Sequence, residues 1–316
     1  MKIASVIPAY KTKNYILKVI SEIGPEVDAI YVIDDKCPEE SGKYVSANCD
    51  DKRVTVLYHE INKGVGGAVK TGYKKAYEDG SDIIIKVDSD GQMDTALIPM
   101  MIKPIINGEA DYVKGNRFFD LESLSKMPRL RLFGNSVLSL VNKFVNGYWN
   151  IMDPTNGFTA IHKNALKRLP LDKISDRYFF ESDMLFRLGI IRAVIMDIPM
   201  KAKYADEESG LSIKRILFEF PPKYINRYIK RIFYNYFLRD FNVATIELIF
   251  GLILFLTGVC FGIYHWYIST KFMVPATSGT VMLAALPTIL GFQLLLSALQ
   301  FDIKNIPVKP LSKADY

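Results

Sequence analysis

Two apolar runs in the last quarter of the sequence, Ile246 to Tyr267 and Val281 to Leu299, constrain this chain more than anything else in it. Each is close to the ~20 residues that a helix needs to cross about 30 Å of hydrocarbon. The link between them, Ile268 to Thr280, carries one charge, Lys271. Together they predict a helical hairpin with both ends on the same side of a bilayer. Lys223, Arg227, Lys230, Arg231 and Arg239 precede it and Lys304, Lys309 and Lys313 follow it, a bias that places both flanks in the cytoplasm. Two buried helices of a large soluble core are the alternative, and length, charge content and flanking bias agree against it. Gly258 and Gly262 form a small-xxx-small pair, a weak pointer to close helix approach and to a homo-oligomer, dimer or tetramer.

The 316 residues leave room for one sizeable α/β domain ahead of the hairpin and not for a second soluble one. The net charge of +6 is modest, and its basic residues crowd beside the apolar runs. That arrangement suits anionic lipid headgroups and argues against nucleic acid as a partner. Cys37, Cys49 and Cys260 lack metal-ligand spacing and are expected as free thiols in a reducing compartment. Met1 leads directly into a strand pattern, so no cleavable signal peptide is expected and membrane targeting falls to the hairpin.

From Lys2 to Phe118 short β-rich runs alternate with amphipathic stretches, the pattern of a mainly parallel sheet covered by helices. Strands are predicted at Ile3–Ile7, Ala29–Ile33, Val54–His59, Ile83–Val87 and Asp111–Lys114, with helices at Asn14–Ile23, Gly66–Tyr77 and Leu97–Ile106. Functional groups in such sheets gather at the carboxyl ends of strands. Those ends carry Pro8 and Tyr10, Asp34 and Asp35, Asn62 to Gly67, Asp88 and Asp90, and Arg117. The stretch Arg129 to Tyr204 is less regular, with a helix expected at Leu132–Val145, a polar turn at Asp153–Gly157, a helix near Phe180–Leu188 and a strand at Val194–Ile198. After Ser209, Ile225, Tyr228, Ile229, Ile232, Tyr236 and Phe237 recur at helical spacing, as in a helix lying in a bilayer interface. Pro221-Pro222 is expected to divide it from a shorter helix at Ser212–Phe220. An ordinary surface helix packed on the domain is the alternative.

The sharpest local signal is Asp88-Ser89-Asp90-Gly91-Gln92, directly after an apolar strand. Side chains two apart on an extended segment point the same way, so both carboxylates reach the strand end. Paired oxygen ligands there suit Mg²⁺ or Mn²⁺ held jointly with substrate phosphates. An EF-hand is excluded by Gln92 in its fifth position and Met93 where glycine is required. The cluster Gly64, Gly66 and Gly67 is neither a Walker loop nor a G-x-G-x-x-G dinucleotide fingerprint. By itself it reads as a tight turn at a helix start.

In order and approximate spacing, Val6-Ile7-Pro8-Ala9-Tyr10, Val32-Ile33-Asp34-Asp35, Asn62-Lys63-Gly64-Val65-Gly66-Gly67-Ala68, Asp88-Ser89-Asp90-Gly91-Gln92 and Gly115-Asn116-Arg117 resemble the GT-A fold glycosyltransferases of inverting family two. The resemblance is nearest to the membrane-anchored polyprenyl-phosphate group that contains dolichol-phosphate mannose synthase. It implies a nucleotide-diphospho-sugar transferase domain over residues 1–210, amphipathic interfacial helices over 211–241, a transmembrane hairpin over 242–303 and a cytoplasmic tail over 304–316. It also implies site roles. Pro8 and Tyr10 line the nucleotide pocket, Asp34 or Asp35 accepts from base or ribose, and the Asn62, Gly64 and Gly66 loop closes round it. Asp90 binds the metal with Asp88 and Gln92, and Lys201 and Lys203 help neutralise the diphosphate. The family's usual Gly-Glu-Ser-Lys segment is replaced here by Ala205-Asp206-Glu207-Glu208-Ser209-Gly210, and Met93 stands where a polar residue is common.

A hydroxyl acceptor normally requires a general base, whereas a lipid monophosphate is already anionic near neutral pH and calls for arginine. Arg117, Arg129 and Arg131 follow the acidic motif, and the family comparison favours Arg117 and Arg131. Asp153 either orients a substrate, acts as a base, or only forms an Asp-Pro turn. Glu181 and Asp183 resemble the acidic segment that supplies the base in hydroxyl-directed relatives. His59, His162 and His265 show no triad or zinc spacing. The expectation is an inverting, metal-dependent transfer of a hexose-type sugar from a UDP- or GDP-sugar to undecaprenyl or dolichyl phosphate at the cytoplasmic face of the membrane. The alternatives are a relative acting on a hydroxyl of a lipid-linked glycan or glycolipid, and a non-catalytic membrane scaffold with a degenerate nucleotide-sugar domain.

Overall fold

A computed structural model describes residues 1–119, 129–201 and 213–313. Lys203 and the segment 205–210 lie outside these residues, as does the side chain of Arg131. The chain divides into two compact units, residues 1–228 with 307–316, and residues 229–306.

The first unit is built on a seven-stranded sheet in the order β3-β2-β1-β4-β6-β5-β7. Its strands are β1 (Ile3–Ala9), β2 (Ala29–Asp34), β3 (Val54–Tyr58), β4 (Ile83–Lys86), β5 (Tyr112–Asn116), β6 (Thr159–His162) and β7 (Ile195–Pro199). β6 runs antiparallel to both β4 and β5, and every other pairing is parallel. The sequence pattern missed β6. It is four residues long, Thr-Ala-Ile-His, and its burial comes from insertion between two other strands, which leaves no alternation to read.

Pleat parity sorts the core into two layers. Ile3, Ile7 and Ala9 of β1, with Ile30 and Val32 of β2 and Ile83 and Ile85 of β4, share a core with α1 (Ile16–Glu22), α2 (Ser41–Asn48) and α4 (Ile98–Ile106). On α4 the buried residues Ile98, Met101, Ile102 and Ile105 repeat at i, i+3, i+4 and i+7, one helix stripe. The opposite parity, Val6 and Ile33, meets α3 (Val65–Glu78) at Gly72, where a Cβ would collide with Val6 and approach Ile33 Cδ1 to 2.8 Å. The remaining helices of this unit are α5 (Arg129–Asn146), α6 (Lys163–Arg168) and α7 (Phe180–Ile190). α2 lies where the sequence pattern named no element, and its start is set by Asp34, as described below.

α8 (Ile213–Ile232) runs unbroken through Pro221-Pro222, contrary to the division expected there. Packing on both sides of the prolines offsets the two missing N–H donors. Phe220 and Tyr224 lie edge-on to Phe179 at ring-centroid distances of 5.2 and 5.0 Å, and Val145 closes the same cluster. Residues 307–316 also belong to this unit, where the backbone N–H of Leu311 donates to both oxygens of buried Asp111 at 2.9 Å.

The second unit is dominated by α9 (Val243–Phe272) and α10 (Ser278–Lys304), both long and apolar enough to cross a membrane. Asn242 caps α9, its side chain accepting from Ala244 N–H while Thr245 Oγ1 accepts from its own backbone N–H. The small residues are spent within the hairpin. A Cβ on Gly258 would approach Thr288 and the Ala284 carbonyl, one on Gly251 would meet the Gly291 carbonyl at 3.1 Å, and one on Gly262 would meet Ala284 at 3.3 Å. Arg231 and Tyr236 both bond Asp302, at 2.7 and 2.6 Å, a buried polar cluster at one end of the pair.

Glycine at position 72 is required by close packing and at position 134 it is not, since a Cβ on Gly134 meets nothing within 4 Å. Gly72→Ala is expected to lower the unfolding midpoint, because an overpacking cost of about 1–3 kcal/mol exceeds the ~1 kcal/mol gain in helix propensity. Gly134→Ala is expected to raise it. Thermal melts of both variants in detergent, followed by circular dichroism, check the two directions.

Candidate active site

The carboxyl ends of the parallel strands open onto a cleft of about 430 Å³ lined by Pro8, Ala9, Tyr10, Thr12, Asp35, Asn62, Gly64, Val65, Ala68, Asp88, Ser89, Asp90, Arg177 and Tyr178. Ser89 ties two of its walls, its hydroxyl donating to the Pro8 carbonyl at 2.7 Å. The two acids after β2 do different jobs. Asp34 lies outside the lining, and its oxygens accept from the backbone N–H groups of Cys37 and Gly42 at 2.7 and 2.6 Å, which fixes the turn and the start of α2. Asp35 reaches the cleft. Its Oδ1 meets His59 Nδ1 at 2.7 Å and accepts from Lys63 N–H at 2.8 Å, and its Oδ2 accepts from Gly64 N–H at 2.7 Å. The Asn62 side chain donates to the Asp35 carbonyl, closing the loop on itself.

Below the second acidic pair lies a lysine that the motif analysis passed over. Lys86 ends β4 at 1% exposure with its ammonium 2.7 Å from Asp88 Oδ1 and 3.5 Å from Glu181 Oε1 on α7. Burial alone would lower its pKa, but the two carboxylates more than reverse this and hold it above the ordinary lysine value. Burial pushes the Glu181 carboxyl upward, with Lys86 opposing it. The signal was present in the sequence, since Lys86 shares pleat parity with Asp88 and interrupts an otherwise apolar strand. Gly157 lies against Lys86 and Asp88, where any Cβ would collide with both.

Asp88 and Asp90 present oxygen donors to one cleft, and Gln92 contributes through its backbone N–H, which donates to Asp90 Oδ1 at 3.0 Å. Two such carboxylates fit the hard-donor preference of Mg²⁺ or Mn²⁺. Among the described residues no group of three or more His, Cys, Asp or Glu side chains gathers for a metal. A cation held here would take the rest of its shell from substrate phosphate and water. Met93 is buried in the core cluster that also holds Val87 and Ile98, and its sulfur accepts from Asp88 N–H at 3.2 Å, which accounts for an apolar residue after the acidic motif.

A second constellation surrounds Asp153, which is 1% exposed and has a left-handed backbone with φ 52°. Arg117 grips it with two bonds, Nε to Oδ2 and Nη2 to Oδ1, both 2.7 Å. Burial alone would raise the Asp153 carboxyl, and the guanidinium overrides it to leave the pKa below the usual range. Beneath the pair, fully buried Lys114 donates to the Met152 and Asp153 carbonyls at 2.8 and 2.6 Å. On α7, Asp183 is wholly enclosed. It accepts from Ser175 N–H and Oγ–H at 2.9 and 3.0 Å and from Arg227 at 2.7 and 3.1 Å.

The cleft thus gathers Pro8, Tyr10, Asp35, Asn62, Gly64, Asp88 and Asp90. Arg117 and Asp153 form a separate pair, and Asp34, Gly66 and Gln92 do not line the cleft. Arg177 and Tyr178 line it without having been expected there, because they arrive from a segment about ninety residues beyond the acidic motif.

The chain is 33% identical over 215 residues to a UDP-N-acetylglucosamine–dolichyl-phosphate N-acetylglucosaminyltransferase of Methanococcus voltae, covering 64% of this chain and 85% of the relative. It is 27% identical over 217 residues to an undecaprenyl-phosphate mannosyltransferase of Micrococcus luteus, covering 67% and 87%. The fold matches glucosyl-3-phosphoglycerate synthase from Mycobacterium tuberculosis, solved with Mn²⁺, UDP-glucose and phosphoglyceric acid, at a TM-score of 0.52 and 19% identity over 73% of this chain and 79% of that one. The family profile of glycosyl transferase family 2 matches residues 5–169, more than half of the chain and all of the strand ends from Pro8 to Asp153, and the chain belongs to that family.

Proposed function

We propose that this glycosyltransferase moves a hexose-type sugar from a UDP- or GDP-sugar to a polyprenyl phosphate at the cytoplasmic face of a membrane, with inversion at the anomeric carbon. The observation that carries the acceptor assignment is the state of the acids. Asp183 is saturated by Arg227 and Ser175, and both oxygens of Asp153 are occupied by Arg117, which also lowers the basicity of that carboxylate, so neither is poised to take a proton from a hydroxyl. A lipid phosphate needs no such base. The two relatives named for transfer to dolichyl or undecaprenyl phosphate support the same acceptor class. One observation favours a second reading, transfer to a hydroxyl: Glu181 is an acid beside Asp88 whose pKa is raised, as suits a general base.

In the proposed reaction an oxygen of the lipid phosphate attacks the anomeric carbon opposite the diphosphate. The bond from that carbon to the diphosphate oxygen breaks, and its electron pair leaves with the nucleoside diphosphate. Asp35 and Asn62 hold the loop that would border the nucleotide, while Asp88 and Asp90 would hold a divalent cation, with Lys86 fixing the Asp88 carboxylate. Such a cation, when bound, supplies positive charge to the departing diphosphate. Arg117 offers the acceptor phosphate a guanidinium whose plane Asp153 sets, making Asp153 a positioning residue. The roles expected for Arg131 and Lys203 fall on side chains outside the described residues.

Four outcomes test this reading. With a panel of UDP- and GDP-sugars, membranes carrying the enzyme should glycosylate polyprenyl phosphate and leave the matching polyprenol untouched. Product on the polyprenol alone, lost in Glu181→Gln, would establish the second reading instead. Asp90→Asn should lower turnover by about 10²-fold or more with an unchanged melting temperature. Arg117→Lys keeps the charge beside Asp153 but loses the fork, and should raise KM for the lipid phosphate about tenfold with donor KM unchanged. A reporter inserted near Ser269 should be reached only from outside intact cells, with both chain ends inside.

A further inference from the structure

Two of the three glycines opening α3, Gly64 and Gly66, are explained by a segment of the chain packed against them, while a Cβ on Gly67 would collide with Lys63. A Cβ on Gly64 would stand 2.7 Å from the Asp176 carbonyl and 2.9 Å from Arg177 Cγ, and one on Gly66 would stand 2.5 Å from the Ser175 carbonyl and 2.7 Å from Phe180. Gly67 N–H donates to the Asp176 carbonyl at 3.0 Å. Lys70 on α3 pairs with Asp176 and donates to the Ile174 carbonyl at 2.8 Å. From the other side Asp183 takes the N–H and hydroxyl of Ser175, and Arg227 holds Asp183. Residues 174–178 are therefore seated from two directions. They deliver Arg177 and Tyr178 into the cleft that also contains Asp88 and Asp90.

Arg177 is an exposed residue and, among the described residues, its guanidinium makes no ion pair or hydrogen bond with any side chain, in contrast to Arg117 and Arg227. Its stem is fixed while its head group is uncommitted. A cleft with two carboxylates at one wall and a planar cation at another has the charge layout for a phosphate-bearing ligand bridged between a divalent cation and an arginine fork. We propose that Arg177 is a donor-binding residue that contacts the diphosphate of the nucleotide sugar, and that Gly64 and Gly66 serve to seat the segment presenting it. This rests on the donor-site reading above.

The test is calorimetric titration of the full-length protein in detergent with Mg²⁺ and, in turn, UDP, GDP, UMP and GMP. For whichever base the wild type binds, Arg177→Ala should weaken the diphosphate about tenfold and the monophosphate less. Arg177→Lys should recover part of that loss, and melting temperatures should be unchanged because the guanidinium holds nothing in place. Gly66→Ala, which displaces the segment from outside the cleft without removing the arginine, should weaken the diphosphate in the same selective way. Unchanged diphosphate affinity in a folded Arg177→Ala protein would overturn the proposal, as would equal losses for mono- and diphosphate. A wild-type protein that binds neither UDP nor GDP would overturn the donor-site reading itself.

Discussion

Asp35 is 3% exposed and its carboxylate joins His59, the backbone N–H of Lys63 and the backbone N–H of Gly64, so the ends of β2 and β3 and the approach to α3 share one side chain. Buried carboxylates of this kind persist only when their lone pairs are filled. Asp34 repeats the device on the turn into α2, Asp111 on the joint between β5 and the C-terminal segment, and Asp183 on the seat of residues 174–178. The cleft has its shape because Asp35, Asp34 and Asp183 are spent on the backbone around it. Removing one would leave several N–H donors unpaired at once, a cost of about 1–3 kcal/mol for each buried group.

The strands of the parallel half were legible because each is a run of apolar residues between turn signals, and their polar ends followed from the rule that parallel strands present function at their carboxyl edge. What escaped was set by tertiary context. β6 gains its strand character from two neighbours, α2 from a side-chain cap eight residues upstream, and α8 crosses a Pro-Pro step because Phe179 packs on both sides of it. The cleft residues before Asp90 were readable from local motifs. Arg177 and Tyr178 were not, since nothing in their own neighbourhood reports that they fold back over Gly64. Lys86 was readable and missed, a buried charge in a strand being itself a signal of a nearby acid.

The hairpin obeys a different packing rule from the sheet. In hydrocarbon, apolar contact between helices has little driving force, and close approach through small residues takes its place. Gly251, Gly258 and Gly291 are used in that way between α9 and α10, so the glycine pattern that suggested association between copies has its partner inside the same chain. Exposed Phe250, Ile253, Leu256, Leu286, Ile289 and Leu290 then cover the outside of the pair, as a lipid-facing surface requires.

The proposal turns on the nucleophile: Asp153 and Asp183 are bound to arginines, and in the proposed reaction the bond formed is to a phosphate oxygen that is already ionised. Phosphorus-31 NMR of the purified lipid product made from polyprenyl phosphate tests this most directly. The phosphate monoester resonance should give way to a diester resonance coupled to the anomeric proton of the sugar. A monoester resonance that survives while the sugar is found on a hydroxyl group elsewhere in the product would contradict it.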